Sequence, residues 1–300
     1  MISDQTLLRL ESEVSQAMSA GQIARNIGVN GCQQTQSLTD MDMAQPIVMF
    51  PIKGRKRIAV GPQIYDVQAG ELLVLPPNTR FDLQNIPAVG TGRFLGASLV
   101  FDAPTVELFH KIYGPELTNW QMSAKWRTAG SDALFSLIAD WLAHDRKFGS
   151  DRAQTRHRLA EILLLLARQG VAGNLLGSGA ETLRDRIRSL FAAAPAQDWR
   201  IADLTAKLAM SESTLRRQLR SENTSFRALL EDARLSHGVE LVMMSDMPIG
   251  QIAFDCGYQS QSRFSERFRL RFSLSPTELR ATQTQPASHV VQMDSYRPAP

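Results

Sequence analysis

Between Ile201 and Phe272 the chain writes one short pattern twice. In the first copy Ile201, Leu204, Thr205 and Leu208 are spaced to bury one helix face. Met210-Ser211 breaks that spacing, and a second helix over 212–220 buries Leu215 and Leu219. Serine at the break is a residue type that caps helix N-termini. In the second copy Ile249, Ile252 and Ala253 repeat the apolar spacing. Gly257 follows as the turn, Gln259 or Ser260 as the cap, and Phe264, Phe268 and Phe272 fall at successive i+4 positions. Glycine reaches the left-handed backbone of a tight interhelical turn without steric cost. A short helix, a tight turn and a second helix make the helix-turn-helix layout.

The second helix of each copy is basic on its outer face. The first shows Ser213, Arg216, Arg217 and Arg220; the second opens with Gln261 and Ser262 and carries Arg263, Arg267 and Arg271 as a stripe. Between the copies, 226–244 reads as one long amphipathic helix, with Phe226, Leu229, Leu230, Ala233, Val239, Leu241 and Val242 apolar. A stiff connector holds two recognition helices at fixed separation, and successive major grooves on one DNA face lie about 34–36 Å apart. One such helix pair is as readily a plain bundle; two, each with a basic second helix and one shared connector, favour DNA.

Charge agrees in its placement rather than its sum. The 300 residues hold 33 basic and 30 acidic groups, a net +3 that says little about partners. Residues 1–150 carry 13 basic and 14 acidic groups, residues 181–280 carry 15 and 13, and Lys207 is the one basic residue of the latter that is not arginine. The planar guanidinium fork suits phosphates and guanine edges better than an ammonium does.

The amino-terminal half has another texture. Residues 1–20 read as a short amphipathic helix or a loose arm. Strand-like runs follow at 47–52, 56–60, 63–67, 71–75, 79–86 and 93–101, separated by Lys53-Gly54, Gly61-Pro62, Ala69-Gly70, Pro76-Pro77-Asn78 and the Gly90/Gly92 stretch. Many short strands with close turns predict an antiparallel barrel or sandwich. Helical patterns occupy 104–113, 131–148 and 152–169. In the last, Leu159, Ile162, Leu163 and Leu166 share a face and Leu164 and Leu165 widen it, which predicts packing on two sides, barrel and partner subunit. Four glycines in 170–180 mark the domain boundary. The expected class is α+β with two domains: a sensor and dimerisation domain over 1–170 built on an antiparallel β-barrel with helices after it, a linker over 171–180, an all-α domain with two helix-turn-helix units over 181–282, and a disordered tail over 283–300.

The stretch from Ile249 through Arg269, with Ser275-Pro276 and Arg280, resembles the signature of AraC/XylS-family bacterial transcription regulators. Met210 to Arg220, with Thr224-Ser225-Phe226, is similar to that family's first unit, and the match spans about 181–281. The resemblance implies a seven-helix DNA-binding domain with recognition helices near 212–220 and 261–271. By motif position it implies Ser213, Arg216, Arg217, Gln261, Ser262, Arg263 and Glu266 as base-edge contacts, and Arg220, Arg267 and Arg269 as phosphate contacts, which position rather than specify. Three residues depart from the pattern. Ser273 stands where glycine is common before Ser-Pro, so the turn there is expected to differ slightly. Asn223 replaces another glycine but tolerates the same left-handed conformation. Glu266 stands where arginine or another polar group is common; a carboxylate repels phosphate but accepts from a cytosine amino group, or it pairs with Arg263 or Arg269. The amino-terminal half, at 52–56 and 70–74, resembles the cupin-like sensor domains often fused to this unit, which implies a small-molecule effector in the barrel and dimerisation through the helices after it.

Enzyme readings find little support in the residues. A metal-dependent cupin enzyme needs histidine and carboxylate ligands on the strands, yet His110, His144, His157, His237 and His289 all lie outside 47–101. Cys32 and Cys256 are far apart in sequence, form neither a disulfide framework nor a Cys-x-x-Cys motif, and fit a reducing compartment. No glycine loop has a phosphate-binding pattern. The longest apolar run, 162–167, is far short of a membrane span, and the amino terminus lacks a secretory pattern. A cytoplasmic regulator is expected, with no enzymatic activity, cofactor or metal. Its partners are double-stranded DNA and RNA polymerase, with a small-molecule effector and a second copy of the chain as further candidates. Control by a protein partner instead of a small molecule is the alternative. Arg55, Lys56, Arg80 and Arg93 are read mainly as rim charges, with an anionic effector as their other use, and no effector site is assigned.

Overall fold

A computed structural model of the chain describes residues 2–20, 26–114, 125–176 and 182–283. The amino-terminal half opens with α1 (Asp4–Ala20). Eight strands follow: β1 (Ile27–Cys32), β2 (Gln36–Met43), β3 (Ile47–Lys53), β4 (Arg55–Val60), β5 (Gln63–Gln68), β6 (Glu71–Leu75), β7 (Thr79–Ile86) and β8 (Phe94–Val100). Then come α2 (Ala103–Tyr113), the short β9 (Arg127–Ala129), α3 (Asp132–Phe148), α4 (Arg152–Arg168) and α5 (Gly173–Leu176). The strands form two antiparallel sheets, ordered β1-β8-β3-β6-β9 and β2-β7-β4-β5. The antiparallel expectation of a barrel or sandwich holds in its open form: it is a two-sheet sandwich with β1 and β9 at the edges of one sheet and β2 and β5 at the edges of the other. β1 and β2 were absent from the sequence reading, which began at Ile47. β2 (Gln-Ser-Leu-Thr-Asp-Met-Asp-Met) has little apolar alternation and slips register between Leu38 and Met41, with Asp40 left-handed at φ 49°. Such a bulge disturbs the period-2 signal that marks a strand.

Three apolar clusters organise the described residues. The first joins α1–α5 to the five-stranded sheet through Phe50, Phe101, Phe135, Trp141 and Leu163. It also takes Leu164 and Leu165 as partly buried neighbours, so this one cluster absorbs much of the wide apolar surface of α4. Val171, Ala172, Leu175 and Leu176 are buried in it as well. The first part of the expected 171–180 linker is therefore packed, because it interleaves its glycines with apolar side chains; the rest, 177–180, lies outside the described residues, as does the tail beyond Gln283.

The carboxy-terminal half is helical: α6 (Leu183–Ala193), α7 (Ile201–Leu208), α8 (Glu212–Ser221), α9 (Phe226–Met244), α10 (Ile249–Asp255), α11 (Gln261–Phe272) and α12 (Pro276–Thr282). These are the seven helices the resemblance implied. One cluster fills the first helix-turn-helix unit, with Phe191, Trp199, Leu204, Leu215, Leu219 and Leu229. The remaining cluster runs from the sandwich interior (Met49, Ile58, Leu75, Phe81, Leu83) into the second unit (Val239, Ile252, Phe264, Phe268, Phe272).

The second unit thus lies along the open side of the sandwich. Cys32 bridges Gln283, the Gln33 amide donates to the Thr282 carbonyl at 3.1 Å, and Thr39 Oγ1 donates to the Arg271 carbonyl at 3.0 Å. Charges bind the same boundary. Asp42, with 1% of its side chain exposed, lies 2.7 Å from Arg188 of α6, itself 8% exposed, and 3.5 Å from Arg80 of β7. Arg80 also pairs with Asp40 at 3.1 Å and with Asp232 of α9 at 2.8 Å, and Arg271 of α11 pairs with Asp232 at 3.2 Å and Asp40 at 3.5 Å. Arg80 is therefore a domain tie rather than a rim charge.

Two substitutions measure these contacts. Phe268→Ala empties the middle of the Phe264–Phe268–Phe272 stack and is expected to cost about 3–5 kcal/mol in a urea titration; a loss below about 1 kcal/mol would show that the stack is not core. Asp42→Ala strands the Arg188 guanidinium in the interior, for which about 3–5 kcal/mol is expected. A variant as stable as the parent would show that this pair does not hold the domains.

Candidate nucleic-acid interface

In the first unit Ala209 takes the left-handed conformation that ends α7, at φ 51°, and Ser211 Oγ accepts the Thr214 amide at 3.2 Å to start α8. Leu204 and Leu208 on α7 face Leu215 and Leu219 on α8, and all four are buried. That burial fixes which side of α8 turns outward: Ser213, Arg216, Arg217 and Arg220 are all exposed. Arg216 folds back on Glu212 one turn earlier, Nη2 to Oε1 at 2.7 Å. Both partners are more than half exposed, so this pair is worth only a few tenths of a kcal/mol and opens readily to another acceptor.

The second unit follows the same logic. Gly257 is left-handed at φ 78°, as its place in the turn required. Of the two expected caps Ser260 is used, its Oγ accepting the Arg263 amide at 3.3 Å. Phe264, Phe268 and Phe272 are buried edge to face along α11, with ring centroids 5.4 and 4.7 Å apart. Gln261, Ser262, Arg263, Glu266, Arg267 and Arg269 are exposed. Among the described residues no ion pair joins Glu266 to Arg263 or Arg269.

The expected Arg263–Arg267–Arg271 stripe divides into three different environments. Arg263 is open to solvent. Arg267 grips both carboxylate oxygens of Glu231 on α9, and that hydrogen bonding raises the guanidinium pKa further. Arg271 is in the domain boundary, 6% exposed. Sequence reasoning missed the last two environments; the acidic pair Glu231-Asp232 in the middle of α9 was the available signal. Ser273 adopts the left-handed conformation of the glycine it replaces, at φ 63°, so the turn is preserved, and its hydroxyl bonds Thr39 Oγ1 at 2.8 Å. Asn223 is also left-handed, at φ 53°.

Inside the sandwich Lys56 is buried rather than on the rim. Its Nζ donates to Asn85 Oδ1 at 2.6 Å, and it has no carboxylate partner among the described residues. Asn85 Nδ2 donates to Gln36 Oε1 at 2.8 Å, and Gln36 Nε2 donates to Thr282 Oγ1 of α12 at 2.9 Å. Lys56 and the carboxy-terminal half are thus joined by one chain of hydrogen bonds. Burial pushes the Lys56 ammonium down to about 7 and the neighbouring Cys32 thiol up to about 11. Cys32 is fully buried, with its thiol directed at the Asn85 carbonyl at 3.8 Å. No group of three or more metal-ligating side chains occurs among the described residues, and no described helix is long and apolar enough to cross a membrane.

Comparison with known proteins matches this geometry. The family described as "Helix-turn-helix domain" covers residues 204–282. The relatives found by sequence are described as transcription regulators. The transcriptional activator PerA of Escherichia coli O127:H6 is 21% identical over 231 residues, covering 76% of this chain and 80% of that protein. The HTH-type transcriptional regulators YdeO and GadX of Escherichia coli K12 are each 32% identical, over 128 and 107 residues, and the match spans only 50% and 39% of their lengths. ToxT from Vibrio cholerae strain SCE256, solved with an unsaturated fatty acid bound, has the same two-domain fold at 17% identity, with a TM-score of 0.63 over 86% of this chain and 95% of that one.

Titration of Lys56 gives the sandwich interior a measurable signature. The unfolded chain keeps this proton up to its ordinary value of 10.5, the folded chain only up to about 7. Between those values unfolding takes up a proton, so stability rises with pH, by at most about 1.4 kcal/mol per pH unit. Below pH 7 the ammonium is charged in both states and its burial weighs on the fold in full. Lys56→Met is expected to flatten the rise in urea midpoint between pH 7 and 9; an unchanged rise would assign it to other groups.

Proposed function

We propose that the chain is a sequence-specific DNA-binding transcription regulator whose sandwich responds to a small-molecule effector. One observation carries the reading: two capped recognition helices, each buried on its leucine or phenylalanine side and exposed on its arginine side, are attached to one connecting helix. Ser213, Arg216 and Arg217 on α8, and Gln261, Ser262, Arg263 and Glu266 on α11, then face base edges. Arginine fits guanine with two parallel hydrogen bonds, glutamine fits adenine, and a carboxylate accepts from cytosine. Arg220 and Arg269 meet phosphates. Arg267 reaches a phosphate only by leaving Glu231, so its first role is to hold α11 on α9.

The effector reading draws on ToxT, whose structure holds a fatty acid, and on Lys56, an interior base with no carboxylate partner among the described residues. An organic anion at Lys56 would perturb the Asn85–Gln36–Thr282 chain and, through it, the seat of α12. The signal then shifts how the second unit sits on the sandwich, which requires that the effector bind one arrangement better than the other. RNA polymerase as the downstream partner, a homodimer through residues 131–169, action in the cytoplasm and the absence of catalysis complete the proposal.

Arg216→Ala and Arg263→Ala are each expected to weaken binding to the chain's preferred duplex by about 1–3 kcal/mol and to relax preference at one base position. Arg220→Ala is expected to weaken all duplexes alike and to flatten the salt dependence. Titration of labelled duplexes at several salt concentrations reads both effects. If both base-facing variants bound like the parent, the recognition faces would be misassigned.

A further inference from the structure

Arg234 stands where α9 passes from one unit to the other. Before it, Phe226, Leu229, Leu230 and Ala233 belong to the core of the first unit; after it, Leu235, Val239 and Val242 belong to that of the second. Its side chain continues this division. Nε donates to the Pro195 carbonyl at 3.0 Å and Nη2 to the Gln197 carbonyl at 3.0 Å, both in the segment that leads from α6 into α7. That segment is itself tied, with Trp199 Nε1 donating to the Ala194 carbonyl at 2.9 Å. On the other side the guanidinium lies under Gly257, in the turn between α10 and α11. A Cβ on Gly257 would come within 2.7 to 2.9 Å of its Nη2, Cζ and Nε atoms. The turn needs glycine for its left-handed backbone, and a side chain there would push the Arg234 guanidinium out of its place.

Among the described residues no carboxylate pairs with Arg234. Its hydrogen-bond partners are main-chain carbonyls at the entrance to the first unit, and its guanidinium packs under the turn of the second, which is the placement of a spacer rather than of a solubilising charge. The planar fork matters here, because two N–H groups in fixed directions engage two carbonyls at once, which a single ammonium on a flexible stem does less well.

We infer that Arg234 is a strut that fixes the angle between the two helix-turn-helix units, and so sets the half-site spacing the chain accepts on DNA. The inference rests on the DNA-binding reading above. One inserted base pair moves one half-site by about 3.4 Å along the axis and about a tenth of a turn around it. Two units held at one angle cannot follow that step, whereas two units free to pivot on α9 can.

The test is a selection from a random-sequence duplex library with the full chain, followed by affinity measurements on the enriched duplex with its spacer changed by one base pair. The wild-type chain is expected to enrich two boxes at one spacing and to lose about tenfold or more on either spacer change, the scale of a mismatched base pair. Arg234→Met is expected to lose less than about threefold on the same duplexes, while its affinity for a duplex with a single box stays within about twofold of wild type. Arg234→Lys keeps the charge and the stem, so it serves if the methionine variant does not fold, and the same relaxed spacing is expected of it. Gly257→Ala pushes the strut aside without removing it and is expected to relax spacing too. Variants with the wild-type spacing profile overturn the strut, and so does a wild-type chain that enriches one box or accepts every spacer. A wild-type selection with no enriched box overturns the DNA-binding reading itself, and the strut with it.

Discussion

Burial along α9 is the interaction on which the carboxy-terminal half depends. Two helices of seven to twelve residues joined by a turn cannot bury enough apolar surface to persist alone, since isolated helices of that length are marginal in water. α9 supplies the missing surface to both pairs, with Leu229 fully buried in one cluster and Val242 in the other. Because the leucines of α8 and the phenylalanines of α11 must turn toward their own cores, the arginines that alternate with them must turn away. The exposed basic faces are thus a consequence of core packing, and they precede any contact with nucleic acid.

The boundary with the sandwich is built differently. Its apolar part is continuous with the sandwich interior, but its rim is ionic, with Asp40, Asp42 and Asp232 set against Arg80, Arg188 and Arg271. A buried ion pair gives back little net stability once desolvation is counted, yet it penalises any arrangement that leaves one partner unpaired. Such a rim suits a boundary that must prefer one geometry without being held too tightly to change. It also reaches three helices at once, α6 through Arg188, α9 through Asp232 and α11 through Arg271, so a shift of the β2 bulge would be felt by both helix-turn-helix units. Beside this rim, the hydrogen bonds from Lys56 to Thr282 offer a second route from the interior of the sandwich to α12. In the proposed mechanism the effector acts on one or both of these contacts.

Legibility in the sequence followed the strength of the local signal. The helices from α7 to α11 fall where their i, i+3 and i+4 apolar positions placed them, and Ser211, Gly257 and Ser260 act as caps and turn as their residue types predicted. Strands from β3 to β8 were readable because glycine and proline turns bracket them. β1 and β2 were not, since their burial comes from neighbouring strands and from α9 and α11 rather than from their own alternation. The glycine-rich segment at 171–180 was read as linker because glycine count outweighed Val171, Leu175 and Leu176, which in fact complete the first core. The strand pattern predicted an antiparallel barrel or sandwich without choosing between them, because short antiparallel strands permit both; nothing local reveals that a distant helical domain lies along the open side.

The sequence by itself determined that the last third of the chain folds into two helix-turn-helix units and that arginines line their outer faces, because periodicity, caps and turn residues act over a few positions and need no distant partner. Only the tertiary structure decided what each arginine does. Arg263 is exposed, Arg267 is held by Glu231, Arg271 is clasped by Asp40 and Asp232, and Arg234 props one unit against the other. Four similar side chains differ in role because charge and hydrogen bonding depend on distances of a few ångströms between residues that lie up to 231 positions apart in the chain, and no local pattern encodes those distances.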